Sequence, residues 1–333
     1  MDEIPDELKK LYNHWENHTQ AHIAAEKKPR IQLDKKILTE IDGFIAERMH
    51  IWHKRYLHSN PKNKSAAEPY TDDPILSQYR FCNIYRELDR QTIDIHLLLK
   101  PLQNDKDFAL WLLNVAFCRF VCNPQTVKDV GLLSFNEKEN KKVHDRLVAH
   151  ERPKYGVAYI FPISTIQRSR TPTRESFFTQ HLPRVIPRIA TFLQTNAKNK
   201  RKSSVCELLD EILPLFGFNF TFHWTEILID VAYQYPNVVD LYKQFPIGPG
   251  SRPTMERLAV VSNANYKDKA DTQQVVLELI NHEPRAFPYL TLDGKPIRLS
   301  AENWEGIGCE FRKYTNLKKG NGRRRKYTTA KTE

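Results

Sequence analysis

No run of about 18 apolar residues, the length a helix needs to cross a bilayer, occurs in this sequence, and its first ten residues are acidic and polar where a secretion signal would be apolar. The expectation is a soluble, cytoplasmic chain that engages no membrane. Cysteine is scarce too. The five residues Cys82, Cys118, Cys122, Cys206 and Cys309 form no C-x-x-C pair and no iron–sulfur spacing, so reduced thiols are expected. Cys118 and Cys122 lie one helical turn apart in a Trp/Leu/Phe-rich run and read as packing residues. Glycine is sparse as well: the 11 glycines contain neither G-x-x-x-x-G-K-[ST] nor G-x-G-x-x-G. That removes the basis for P-loop phosphoryl transfer and for a Rossmann dinucleotide site, and no cofactor is expected.

What the chain does have is positive charge. Its 333 residues carry a net charge of +11, and a 40% hydrophobic content is enough for a core in one large domain or two small ones. Basic residues gather near the end, at Arg312, Lys313, Lys318, Lys319, Arg323, Arg324, Arg325 and Lys326. Such clustering fits a polyanionic partner, because each Lys or Arg that neutralises a phosphate releases condensed counterions. A solvated tail is the alternative.

Helical periodicity dominates the pattern. A polar helix is predicted over 5–26 and an amphipathic one over 33–58, where Ile37, Leu38, Ile41, Ile45 and Met49 fall at helical spacing. A loop follows at 59–74, then helices at 76–99, 105–122 and 124–131. The middle is less regular, with a short strand at 155–163 and a basic surface loop at 167–174. Helices are predicted at 175–196, 203–214, 221–234, 237–243, 252–262 and 268–281. Asp293-Gly294, between alternating apolar residues of 289–299, predicts a hairpin. A last helix over 300–314 carries Trp304, Glu305, Cys309, Glu310 and Phe311. There is no internal repeat and no oligomerisation signal, so a monomer is expected.

Three segments carry candidate chemistry. On a helix over 79–92, Phe81, Tyr85, Leu88, Thr92 and Ile95 share one stripe, while Asn83, Arg86 and Arg90 share the opposite one. That second face either reads a polar ligand or is an ordinary solvated face, with Arg86 or Arg90 paired to Glu87 or Asp89. In Gly248-Pro249-Gly250-Ser251, glycines two apart permit a turn that offers backbone N–H groups to a phosphate ahead of a helix starting near Arg252, with a helix expected to end near Tyr242 before it. A plain loop is the alternative. Asp271-Thr272 resembles the helix start of helix-hairpin-helix DNA glycosylases, where a fixed carboxylate stabilises a sugar cation; helix N-capping is the bland reading. Members of that superfamily that form a Schiff base place a lysine just after the hairpin glycines. Here Ser251 and Arg252 stand there, and a guanidinium is no nucleophile, so base release without strand cleavage is expected. His14, His18 and His22 are spaced four apart as metal ligands can be, yet read as solvated, and no metal is expected.

The run Arg80-Phe81-x-Asn83-x-Tyr85-Arg86-Glu87-x-Asp89-Arg90 and the run Cys309-Glu310-Phe311-Arg312-Lys313-Tyr314 occur in that order with Gly248-Pro249-Gly250 between them. Together they resemble the α-glutamyl/putrescinyl thymine pyrophosphorylase family, which is similar to the helical domain of 5-hydroxymethyluracil DNA kinases, over roughly residues 30–326. The chain departs from that pattern at Arg312, where an aspartate is expected, and at Asn303, where an acidic residue is. The resemblance implies a mainly α, helix-hairpin-helix DNA-glycosylase-like bundle with a small β-hairpin near the C-terminus. An N-terminal polar helix (1–30) would precede a catalytic DNA-binding domain (31–315, helix-hairpin-helix about 236–283) and a basic flexible tail (316–333). The implied partner is double-stranded DNA carrying modified bases, with the target base flipped into a cleft. Asp271, Glu310 and Asp89 would be catalytic. Arg80, Asn83, Arg86, Arg90, Glu305, Lys313 and Tyr314 would form the base pocket, and Gly248, Gly250, Ser251, Arg252, Arg323, Arg324 and Arg325 would hold the backbone. Scaffolding ion pairs, Arg86 with Glu310 or Arg90 with Asp89, are the alternative. Relatives in bacteria serve as defence glycosylases, and other members exchange a pyrophosphate on activated hydroxymethyluracil for an amine. Excision of a bulky hypermodified phage-type base, leaving an abasic site, is therefore the favoured expectation. Amine or amino-acid transfer to pyrophosphate-activated 5-hydroxymethyluracil is the runner-up, and a DNA-binding module without chemistry the third reading.

Overall fold

The computed structural model describes residues 2–19, 31–59, 70–103, 107–151, 153–156, 161–199, 202–260, 269–282 and 289–322, with backbone alone at 58–59 and 269–271. The fold is mainly α. Two compact units share the chain: residues 1–5, 15–89 and 244–333 form the first, and residues 6–14 and 90–243 the second.

In the first unit, the helix Lys35–Ser59 starts where Asp34 accepts from the N–H groups of Lys36 and Ile37. It buries Ile41, Phe44, Ile45 and Met49 on one stripe. The helix Ala301–Lys318 opens with a capping box in which Ser300 N–H donates to Asn303 Oδ1. Asn303, one of the two departures noted above, thus has a structural task. This helix buries Trp304, Ile307 and Phe311 and packs on Arg252–Leu258, Lys269–Ile280 and Lys35–Ser59. Gly308 makes the closest approach possible, because a Cβ there would lie 2.5 Å from Met255 Cε and 3.1 Å from Ser251 Cβ. The predicted hairpin forms: Leu290–Leu292 pairs antiparallel with Lys295–Pro296 around Asp293 (φ 50°) and Gly294 (φ 74°), the left-handed pair that such a turn demands. Asp2–Glu3 adds in parallel at Leu290 and Thr291.

The second unit is built on Phe108–Val121, buried along nearly its whole length and flanked by Arg90–Leu99, Leu182–Lys198 and Thr221–Gln234. Phe117, Phe120, Phe177, Phe178, Phe216 and Phe220 pack mostly edge to face around it. One buried charge network crosses this core. Arg119 donates to both oxygens of Asp230 at 2.6 Å, Asp230 lies 3.0 Å from His96 Nε2, and His96 Nδ1 lies 2.8 Å from Gln234. Pairing of this kind is what lets a guanidinium and a carboxylate lie out of water. Cys118 and Cys122 are buried, as their spacing predicts.

Several predicted elements differ from the structure. The helix expected over 76–99 divides into Pro74–Gln78, an irregular stretch, a 3-10 turn at Arg86–Leu88 and the helix Arg90–Leu99. Its backbone groups bond elsewhere: Arg48 donates to the carbonyls of Phe81 and Cys82, and Glu310 accepts from Cys82 N–H. No helix forms over 237–243, where Val239 bridges to Ser203 and Asp240 N–H donates to Ser203 O, so the helix preceding the glycine turn ends at Gln234. The predicted N-terminal helix is two short ones, Asp6–Lys9 and Trp15–Thr19. Between them Asn13 is drawn to the carbonyls of Tyr233 and Gln234. His14 and His18 are buried where solvation was expected, with His18 Nδ1 3.8 Å from Glu87; His22 lies outside the described residues. The helix expected over 252–262 stops at Leu258 because Ala259–Val260 pairs with Gln32–Leu33. Glu137–Ala149, capped by Asn136, escapes the pattern because Val143 and Leu147 alone mark its apolar side. Of the expected strand at 155–163, residues 157–160 lie outside the described set and Ile163 already begins a short helix.

Candidate active site

The candidate residues of the first unit meet where the irregular stretch 79–89, the glycine turn and the helix Ala301–Lys318 come together. Asn83 closes the stretch on itself: its N–H donates to Asp89 Oδ1 at 2.9 Å and its amide donates to Leu88 O at 2.8 Å. Burial pushes the Asp89 carboxyl up to about 6, and the Glu310 charge pushes the same way, against the Asn83 N–H, Arg86 and Arg48. Glu310 Oε2 accepts from Cys82 N–H at 3.1 Å and lies 3.3 Å from Lys313 Nζ, its neighbour one helical turn on. The Lys313 ammonium also donates to Arg80 O and stands 4.5 Å over the Phe81 ring. Phe44, Phe311 and Tyr314 complete an aromatic wall around Phe81, and Tyr314 OH donates to Asp73, the cap of Pro74–Gln78.

The glycine turn faces its own chain. Gly248 N–H donates to Glu305 Oε1 at 3.1 Å and Ser251 Oγ donates to the same oxygen at 2.6 Å. Arg312, the second departure from the family pattern, donates to Pro249 O at 2.8 Å. A Cβ on Gly250 would lie 2.6 Å from Cys309 Sγ. Where the sequence suggested a backbone N–H offered to a phosphate, the Glu305 carboxylate already accepts from Gly248. Burial raises the Glu305 carboxyl, opposed by Ser251, Gly248 and the Arg86 charge. Arg86 thus acts on two of the three acidic groups, Asp89 and Glu305, as one shared cation.

The structure therefore brings together Asn83, Arg86, Asp89, Glu305, Glu310 and Lys313, with Arg80 joining through its carbonyl. Arg90 belongs to the second unit, where its exposed guanidinium pairs with Asp94 at 2.9 Å and not with Asp89. The side chain of Asp271, and Arg323, Arg324 and Arg325, lie outside the described residues. Arg252 opens the helix after the turn, with a long contact (3.4 Å) to Ile247 O. Sequence reasoning missed Arg48, which is 2% exposed and pins the segment through two carbonyls. Its signal was legible: Arg48 falls three residues after Ile45 and seven after Ile41, on the apolar stripe of its helix.

Chemically, the cluster sets a carboxylic acid able to carry a proton near neutral pH beside a second carboxylate held by donors, with a guanidinium and an ammonium to meet negative charge. Residues 35–324 match the family described as 5-hmdU DNA kinase, helical domain. Among curated proteins, the 5-hmdU DNA kinase of Bacillus phage SP10 is 34% identical over 93 residues, which is 27% of this chain. The aligned stretch covers only 13% of that kinase. No solved structure matches.

Proposed function

This chain belongs to the family of the 5-hmdU DNA kinase helical domain, and from that premise we propose that it removes a modified pyrimidine base from DNA by hydrolysing the N-glycosidic bond. The relative's name specifies a modified uracil in DNA as what that kinase acts on, and the +11 charge of this chain suits the same polyanion. One observation carries the hydrolytic reading: the Asp89 carboxyl, raised to about 6, beside Glu310 and Arg86.

Glycosidic cleavage needs a proton delivered to the leaving group and negative charge near a sugar that develops oxocarbenium character. Asp89 supplies the proton to the departing base. Glu310, oriented by Cys82 N–H and Lys313, faces the sugar cation and directs the incoming water. Arg86 and Asn83 meet the polar substituent that marks the base as modified. Hydrolysis leaves an abasic site, and selection for hypermodified bases fits the activity to defence against phages that carry them.

The test is mass spectrometry of free bases and nucleosides after the protein alone is incubated with hypermodified phage DNA, with a parallel alkali treatment. Free modified base and alkali-labile sites are expected, with unmodified DNA left intact. A full complement of bases recovered as nucleosides would overturn the reading. Pyrophosphate released only when an amine is added, from DNA bearing activated 5-hydroxymethyluracil, would replace it with group transfer at the same residues.

A further inference from the structure

The second unit contains a groove of about 630 Å³, a size that takes a nucleotide-scale ligand. Tyr155, Ile163 and Pro172 give it a largely apolar lining, and Lys154, Arg174 and Glu175 stand around them. Glu175 is already engaged, accepting from Tyr155 OH at 2.6 Å and lying 3.0 Å from Lys154 Nζ. Arg174 is not so engaged. Its guanidinium covers the Tyr155 ring at 4.7 Å and the Phe161 ring at 5.2 Å, and no carboxylate among the described residues pairs with it. Ile163, one of the lining residues, is 41% exposed among the described residues and so open to a ligand.

Around Pro172, the run Gln167–Arg174 contains Arg168, Arg170 and Arg174 and no acidic residue. Arg168 and Arg170 are exposed and make no ion pair with any described residue. A nucleotide-sized apolar floor beside a row of guanidiniums that no described carboxylate neutralises has a specific complement. Bases pack on aromatic and aliphatic surface while phosphates meet arginine forks, an arrangement available to an unpaired strand but not to a duplex, whose base faces are stacked inside. We propose that this groove binds single-stranded DNA, with bases against Tyr155, Ile163 and Pro172 and phosphates on Arg168, Arg170 and Arg174. The proposal rests on the reading of the chain as a DNA enzyme and adds a second contact, in the other unit, for nucleotides outside the duplex.

The test measures fluorescence anisotropy of the full chain with labelled unmodified oligothymidylate and with a mixed-sequence duplex of equal length, across a salt series. Arg168→Glu with Arg170→Glu, and separately Ile163→Asp, change exposed side chains, and circular dichroism checks their folding. The double variant should lose about tenfold or more of its single-strand affinity, with the slope of log affinity against log salt smaller by about 1.4, near 0.7 for each lost phosphate contact. Ile163→Asp should lower single-strand affinity by about threefold or more without that change in slope. Duplex affinity should stay within about threefold in both. Absent single-strand binding by the native chain, unchanged affinity in the variants, or an equal loss for the duplex would each overturn the proposal. The probe contains no base to excise, so a chain that releases no base yet shows the expected losses refutes the excision reading alone.

Discussion

Asp89 is held in a state its free side chain would not choose. Burial and the Glu310 charge favour its protonated form, while the Asn83 N–H and the Arg86 and Arg48 guanidiniums favour the anion, and the balance falls at about 6. The sign has two consequences. Because the folded value is raised above the ordinary 3.8, the folded chain keeps a proton that the unfolded chain sheds between about pH 4 and 6, so this group's contribution to stability declines as pH rises across that interval. As the proton donor, Asp89 should also make base release fall as pH rises through about 6. Asp89→Asn separates these roles. Its amide oxygen still accepts from Asn83 N–H, and a neutral side chain escapes the burial cost, so the melting temperature at pH 7 should hold or rise. Single-turnover base release should drop about 100-fold or more, the usual contribution of a positioned acid, and should lose its fall near pH 6. Activity within threefold of the native chain would remove Asp89 from the mechanism.

Among the elements, the glycine turn shows what sequence pattern can and cannot disclose. The turn itself, the helix after it and the closing helix were readable from Gly248-Pro249-Gly250 and from apolar spacing. What lies against the turn was not, because a free backbone N–H and one taken by Glu305, 57 residues away, look the same in sequence. The stretch 79–89 misled for a related reason. Its apolar residues repeat with helical spacing, and Tyr85 and Leu88 are indeed buried, yet side chains from two distant helices satisfy its backbone and remove the reason to coil. Six of the candidate residues, Asn83, Arg86, Asp89, Glu305, Glu310 and Lys313, nevertheless come together, since charge type and order survive an error in local geometry. Close packing of the turn on the last helix is open to test. Gly250→Ala puts a Cβ 2.6 Å from Cys309 Sγ and should cost about 1–3 kcal/mol in urea denaturation. Cys309→Ala leaves the Cys309 Cβ position, 3.5 Å away, as the nearest atom and should restore most of that loss in the double variant. Additive losses would show that the two do not touch.

At the scale of the whole chain, the two units pull its response to acid in opposite directions. His14, His181 and His223, all in the second unit, are held below the ordinary 6.5 by burial, the first well below it and the other two at about 4. Their unfolded forms take up protons as pH falls from about 6.5, while folded His181 and His223 refuse them until about 4 and folded His14 resists in the same direction. Stability is therefore complete above about 6.5 and is lost on acidification, by about 1.4 kcal/mol per pH unit for each histidine. Asp230, lowered by Arg119 against its own burial, extends the loss below about pH 4. Asp89 and Glu305, both raised, lean the other way, so acid that fills the proton donor also loosens the unit that contains the groove. His223 isolates one histidine's share: it stacks on Phe120 at 4.8 Å and 11°, a place a phenyl ring can take. His223→Phe should flatten the decline between pH 6.5 and 5, measured by denaturant unfolding, by about one proton's worth, near 1.4 kcal/mol per unit. Parallel stability curves for the two proteins would show that the acid response is set elsewhere.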